Sequence, residues 1–182
     1  ALDGVHLDVA PGEVHALLGE NGAGKSTLLK ILSGAQSADE GTLLFDGEPL
    51  SPNDTPIQRR ERGIVTIYQE FNLLPALTVA ENMYIGREPL RHGLIHWSEM
   101  YVRAQEVLSD LKIDLDPRAQ VRMLSVAKQQ MVEIAKAMTV QARLIVMDEP
   151  TAALSGREVS QLLDIIRDLR ARGIAIIYVS HK

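Results

Sequence analysis

The chain has no cysteine. That excludes a disulfide framework, a thiolate zinc site and a cysteine nucleophile, and it fits a reducing compartment. Long apolar runs are missing too. The longest, Ile174–Val179, has six residues, far short of the roughly 20 that a membrane-spanning helix needs. No secretory signal opens the chain, and no repeat or low-complexity tract interrupts it. There is no basic surplus: 19 Lys+Arg stand against 24 Asp+Glu, a net charge of −5. That balance argues against a duplex nucleic-acid binder, which carries a basic surface. Ala1-Leu2-Asp3 has no initiator Met and begins inside a strand-like pattern, and Lys182 follows directly on a loop signal. The expectation is a chain cut at both ends.

The remainder is ordinary globular material. The 182 residues are 46% hydrophobic and 24% charged, which excludes disorder and coiled coil and fits one domain, or one domain with a smaller inserted lobe. Leu2, Val5, Leu7 and Val9 alternate loosely, as in a strand, before the Pro11-Gly12 turn. Val14–Leu18 reads as a buried strand. Residues 24–32 read as a helix, with Gly34 suited to its C-terminal cap. Residues 42–45, followed by Asp46-Gly47, read as a strand entering a tight turn, and residues 64–68 as another strand. Beyond Phe71 the pattern turns helical. Residues 73–83, 99–111 and 126–138 read as helices with no strand between them. Ser98 can cap the second, whose apolar face is Tyr101, Ala104, Val107, Leu108 and Leu111. Strands return at residues 144–147 and 174–179. They flank a helix at about 156–172 that carries Val159, Leu162, Leu163, Ile166 and Leu169 on one stripe and ends at Gly173. Apolar strands joined through helices imply a parallel sheet buried on both faces.

Two segments carry chemistry. Gly19-Glu20-Asn21-Gly22-Ala23-Gly24-Lys25-Ser26 matches GxxxxGK(S/T), with Thr27 following, between an apolar strand and a helix. Gly22 and Gly24 let successive N–H groups turn inward, and the helix start adds its dipole. Lys25 reaches the outer phosphates of a nucleotide, and the Ser26 hydroxyl is placed to ligate Mg²⁺. The second segment is the strand Leu144–Met147, ending in Asp148-Glu149. An acid at a strand's C-terminal end lies beside the phosphate loop in such sheets. Asp148 then holds Mg²⁺, through water, and Glu149 polarises the attacking water.

On these residues the chain resembles the nucleotide-binding domain of ATP-binding cassette transporters. The segment Leu124-Ser125-Val126-Ala127-Lys128-Gln129-Gln130 looks like a variant of the cassette signature LSGGQ. The resemblance implies that Ser125, Val126 and Ala127 meet the ATP held by a second cassette. Ser125 is also a good N-cap, which aims a helix dipole at the γ-phosphate. Gln69 matches the glutamine that reaches Mg²⁺ and joins the core to the helical lobe. Pro150–Ser155 matches the D-loop region, and His181 matches the switch histidine that contacts the γ-phosphate. The implied fold is a P-loop NTPase α/β core with a mostly parallel sheet, a small antiparallel part near the N-terminus and an inserted helical lobe. The expected division is 1–71 and 142–182 for the core and 72–141 for the lobe.

The departures are Val126 and Ala127 for two glycines, Lys128 for a glutamine and Ser155 for an aspartate. With residues 70–73 and 81–83, these variants are similar to the first cassette of bacterial monosaccharide importers of the ribose, xylose and galactose type. That resemblance implies an ATPase using ATP and Mg²⁺ with Lys25, Glu149 and His181 as catalytic residues. It implies a second cassette and membrane permease subunits as partners, the latter docking in a groove near Gln69 and residues 73–83. A periplasmic sugar-binding protein is an indirect partner, nucleic acid is none, and the location is the cytoplasmic face of the inner membrane, peripherally. The alternatives are a soluble cassette ATPase of translation or DNA repair, and a non-hydrolysing regulatory cassette. His6, His15, His92 and His96 have no metal-like spacing and take structural or surface roles. Met123, Met131, Met138 and Met147 read as core, and Arg59-Arg60-Glu61-Arg62 as a solvated helix face.

Overall fold

A computed structural model describes residues 2–20 and 22–181; Ala1, Asn21 and Lys182 lie outside them. Four parallel strands form the central sheet: β1 (Val14–Leu18), β4 (Ile64–Ile67), β7 (Leu144–Asp148) and β8 (Ala175–Ser180), in the order β1-β8-β7-β4. Alternation along each strand decides the two faces. Leu144, Val146, Ala175, Ile177 and Val179 pack with Leu29 of α1 (Lys25–Leu32), whereas Ile145, Met147 and Ile176 pack into the larger core with helices α5 (Val126–Met138) and α6 (Gly156–Ala171). Both faces of β7 and β8 are thereby covered, the condition under which parallel strands are stable; β1, expected to be buried, lies at the edge and leaves Val14, Ala16 and Leu18 exposed. The helix stripe read on residues 156–172 is shifted slightly: Leu162, Ile165, Ile166 and Leu169 are its buried members. Gly34 follows α1 at φ +74, where an added Cβ would stand 2.5 Å from the Asp54 carbonyl oxygen; only glycine fits both constraints.

A two-stranded antiparallel hairpin, β2 (Leu44–Phe45) and β3 (Glu48–Pro49), forms the small antiparallel part. Several expectations need correction. Among the described residues, 2–9 form no strand: the apolar side chains Leu7 and Val9 pack on the sheet's α1 side without backbone pairing. The helix face read at residues 59–62 belongs to a short helix, α2 (Pro56–Glu61). Its signal is a capping box at Thr55 and Gln58 with Pro56 at the first turn. Its Arg59 is not solvated: it is 2% exposed, and its Nη2 donates to the Ser51 carbonyl at 2.9 Å. Burial pushes its pKa down, against the attraction of Asp54. The helix expected at 73–83 is only α3 (Val79–Tyr84), because Thr78 caps it and Glu81 closes the box. A second hairpin, β5 (Leu90–Arg91) and β6 (Leu94–Ile95), lies where no strand was expected. It leads into α4 (Trp97–Asp110), whose N-cap is His96 rather than Ser98. Met100, Ala104 and Leu108 are its buried members, so Met100 joins the expected face and Tyr101 and Val107 are its partly buried edges. Met123 is 77% exposed, not core.

Candidate nucleotide site

Register brings the sheet's C-terminal ends to one edge. Leu18 pairs with Ser180, Val179 with Asp148, and Met147 with Ile67. The residues that follow each strand therefore emerge together: Gly19 and the glycine loop, His181, Asp148-Glu149 and, after Tyr68, Gln69. This edge is where ligands bind in open α/β sheets. The acids thus stand on the lysine's side of the sheet.

The glycine loop turns into α1 at Gly24, whose φ of +89 makes it the helix N-cap; Gly22 has the same φ. Residues with a Cβ disfavour that backbone. The Lys25 ammonium bends back onto the loop and donates to the Gly19 carbonyl and, at 3.0 Å, to the Glu20 carbonyl. The Ser26 hydroxyl is exposed at the helix start. Asn21, expected in this loop, lies outside the described residues. Glu20, Gly22 and Ala23 are exposed, and Thr27 is half-buried in α1.

Asp148 ends β7 half-buried. Burial raises its carboxyl above the ordinary range and Glu149 adds to that, while Lys25 pulls the other way. A carboxylate whose charge is disfavoured by burial and by a second acid is one that a cation would relieve. Glu149 adopts a left-handed backbone, φ +48, which costs a non-glycine residue about 1 kcal/mol. The turn is held because the Glu149 N–H donates to the Val179 carbonyl at 3.0 Å. Its carboxylate Oε1 lies 2.6 Å from His181 Nδ1. The acid of one strand end and the imidazole of the next are therefore one hydrogen-bonded unit. Ser155, in the aspartate's place, caps α6: its N–H and hydroxyl both donate to Glu158, at 2.8 and 2.7 Å.

Gln69 is exposed at the end of β4. Ser125 is the N-cap of α5, and its hydroxyl accepts from the Lys128 N–H at 3.4 Å. Val126 is 43% exposed and Ala127 is buried. The sequence reading missed the side chains that hold these pieces: Asn82, Arg87, Glu133 and Lys136. Glu133 is 7% exposed and Asn82 is 1% exposed. Glu133 interrupts the otherwise apolar row Met131–Ala135, and that interruption was the available signal.

A glycine loop between a parallel strand and a helix, with an acid on a nearby strand end, defines a P-loop nucleotide-binding α/β protein. The profile of the family described as ABC transporter matches residues 2–152, and the chain belongs to that family. A ribose import ATP-binding protein of Rubrobacter xylanophilus is 56% identical over 100% of this chain and 36% of its own length. One from Geobacillus kaustophilus is 49% identical over 100% of this chain and 37% of its own. The chain thus spans about a third of these relatives. The crystal structure of an ATP-binding cassette of an ABC transporter in its ADP conformation matches with TM-score 0.84 at 30% identity, over 100% of this chain and 75% of that one. The dimeric post-hydrolysis state of another cassette, bound to ADP and Pi, matches with TM-score 0.80 at 28% identity, over 100% and 80%.

Proposed function

We propose that the full-length protein is an ATPase that powers import of a monosaccharide of the ribose type, this chain being one nucleotide-binding cassette. The observation that carries the reading is the Glu149–His181 unit, 2.6 Å between its atoms, at the same sheet edge as Lys25 and Asp148. The cargo class is supported by relatives named as ribose import ATP-binding proteins. Residues 1–71 and 142–182 form the core in this reading, and 72–141 the helical lobe.

ATP phosphates enter the loop of Gly19 to Thr27. The Lys25 ammonium exchanges the Gly19 and Glu20 carbonyls for phosphate oxygens, a stronger charge-assisted bond. The residues fit Mg²⁺: Ser26, Gln69 and Asp148 offer only hard oxygens, and among the described residues no group of three His, Cys, Asp or Glu forms a cage. That suits a small cation shared with phosphates and water. When bound, Mg²⁺ neutralises charge on the phosphates undergoing transfer. Glu149 orients the water and takes its proton, and His181 fixes the Glu149 carboxylate and faces the γ-phosphate. Positioning and fixed charge supply most of the rate. Ser125, Val126 and Ala127 present the α5 N-terminus to the ATP of a second cassette, in keeping with the dimeric relative. Hydrolysis then weakens the closed pair.

Between α2, β4 and α5 lies a cleft of about 270 Å³ lined by Ile57, Arg60, Tyr68, Asn72 and Glu133. It adjoins the Gln69 segment, though residues 73–83 do not line it; the groove near Gln69 and residues 73–83 belongs, in this reading, to a membrane permease. A periplasmic sugar-binding protein would deliver cargo to that permease, and no nucleic acid takes part. Among the described residues no helix is long and apolar enough to cross a membrane, in keeping with a peripheral place on the cytoplasmic face.

Glu149→Gln in the full-length protein tests the reading. With MgATP it traps a closed dimer on a sizing column while hydrolysis drops by at least about 10²-fold. An undiminished rate removes Glu149 from its role. Co-purification with a permease, rather than with ribosomes or DNA, separates transport from the soluble alternative.

A further inference from the structure

The segment from Gln69 to Thr78 lies outside the helices and strands, and helix side chains tie its backbone at Asn72, Leu74, Leu77 and Thr78, the first two through both N–H and carbonyl. At Asn72 the N–H donates to Glu133 Oε1 at 2.8 Å, and the carbonyl of the same residue accepts from Lys136 Nζ at 3.1 Å. Both partners stand on α5, three residues apart and therefore on one face. At Leu74 the N–H donates to Asn82 Oδ1 at 2.7 Å, and the carbonyl accepts from Asn82 Nδ2 at 3.0 Å. Arg87 joins α5 to the far end of α3, donating to the Thr139 hydroxyl at 2.8 Å and the Met83 carbonyl at 3.1 Å.

Glu133 is the costly member. It is 7% exposed in the middle of a buried helix, and taking a carboxylate out of water is unfavourable unless its partners compensate. An apolar side chain would fill the space without that cost, but it could not accept the Asn72 N–H. The chemistry chosen fits the holding of one particular peptide. That peptide lies three residues after Gln69. Its holder lies about 12 Å along the helix from Ser125, at 1.5 Å per residue.

We propose that Glu133, assisted by Lys136, is a positioning residue that locks the segment after Gln69 to the helix bearing Ser125, so that both nucleotide-facing elements move as one body when cassettes close. The proposal rests on the roles given above to Gln69 and Ser125. Glu133 touches neither nucleotide nor water in this account; it acts through Asn72.

The test uses the full-length protein and three readouts at 25 °C: MgATP affinity, steady-state kcat and KM, and hydrogen exchange of a peptide covering residues 70–74. Losing a charged hydrogen bond should speed Asn72 exchange on the order of 10- to 100-fold in Glu133→Ala. The same variant lowers kcat about tenfold and leaves MgATP affinity within about twofold, because the defect lies in closure rather than in the phosphate loop. Glu133→Gln keeps an acceptor oxygen and restores kcat to within about threefold of the parent. Lys136→Met, at a half-buried position, loses about threefold in kcat with faster exchange, one hydrogen bond being removed. Faster Asn72 exchange with the parent's kcat in Glu133→Ala overturns the proposal, and so does an equal kcat loss in the Ala and Gln variants. If Glu133→Ala does not fold, Lys136→Met decides by the same rule. Gln69→Ala and Ser125→Ala run alongside. Parent-like kcat in both strikes down the roles given to those residues, whereas losses there with a parent-like Glu133→Ala strike down this proposal alone.

Discussion

The two halves of the candidate site are fixed by different forces. Lys25, Asp148, Glu149 and His181 follow parallel strands whose backbone pairing sets their relative positions. Gln69 and Ser125 lie outside the sheet. Backbone bonds from Val121 and Arg122 to Leu77 and Pro75, and from Val79 and Ala80 to Ala119 and Pro117, join the stretches beside them. Side chains add the rest, Asn82 to Leu74, Glu133 and Lys136 to Asn72, Arg87 to Met83 and Thr139. A sheet edge shares its hydrogen bonds over many peptides, so deleting one side chain leaves its geometry in place. The stretch around Asn72 and Leu74, held mainly by side chains, is more easily displaced by a single deletion. The sheet edge is therefore suited to constant chemistry, and the helical part to movement between states.

The contrast has measurable consequences, the largest at the sheet edge. Lys25→Ala should weaken MgATP binding by about 10- to 100-fold, the size of a charge-assisted hydrogen bond, while its melting temperature stays near the parent's. Isothermal titration and a thermal melt check both halves. Asn82→Ala should do the reverse. It strands the Leu74 N–H, costing about 1–3 kcal/mol in urea unfolding with little change in affinity for MgATP, whereas the carbonyls of Leu74 and Thr78 keep the N–H groups of Leu77 and Asn82. If Asn82→Ala lost affinity in proportion to stability, the two halves would not be separable.

Smaller effects refine the division. Ser125→Ala removes the α5 N-cap and costs about 1 kcal/mol in the same denaturation assay. It should leave binding to a single cassette intact and slow the hydrolysis that needs two. The last concerns pH. Burial raises the Glu133 carboxyl, against Lys136 and the Asn72 N–H, which lower it. A folded value above the unfolded one means the folded state holds the proton longer, so this group's contribution to stability is present at acid pH. It is lost as pH rises from the unfolded carboxylate value, about 4.3, through the folded one. Glu133→Gln removes that falling limb. Nucleotide-free melts from pH 4 to pH 7 should show the variant gaining on the parent as pH rises; a constant gap would contradict the assignment.

How much could be read beforehand follows the same line. The strands of the sheet, α1, α5 and α6 stood in the sequence within a residue or two, because each has a strong period and a terminal signal such as Gly34, Ser125 or Gly173. The start of α3 went wrong because Leu73 and Leu77 extend its apolar pattern, while Thr78 and Glu81 set the boundary by capping. The second hairpin was missed because Leu90, Leu94 and Ile95 are exposed and leave no alternation to detect. Residues 2–9 do alternate, but their side chains pack without a partner strand for the backbone.

The sequence alone determined the phosphate loop, the acidic strand end and the family, because each is a local string whose chemistry depends on spacing along the chain. Only the tertiary structure decided that Glu149 and His181 share a hydrogen bond and that Glu133 holds Asn72. Those pairs are far apart in sequence, and no local rule joins them. Their meeting depends on strand order in one case, and in the other on α5 passing beside the segment that leaves β4.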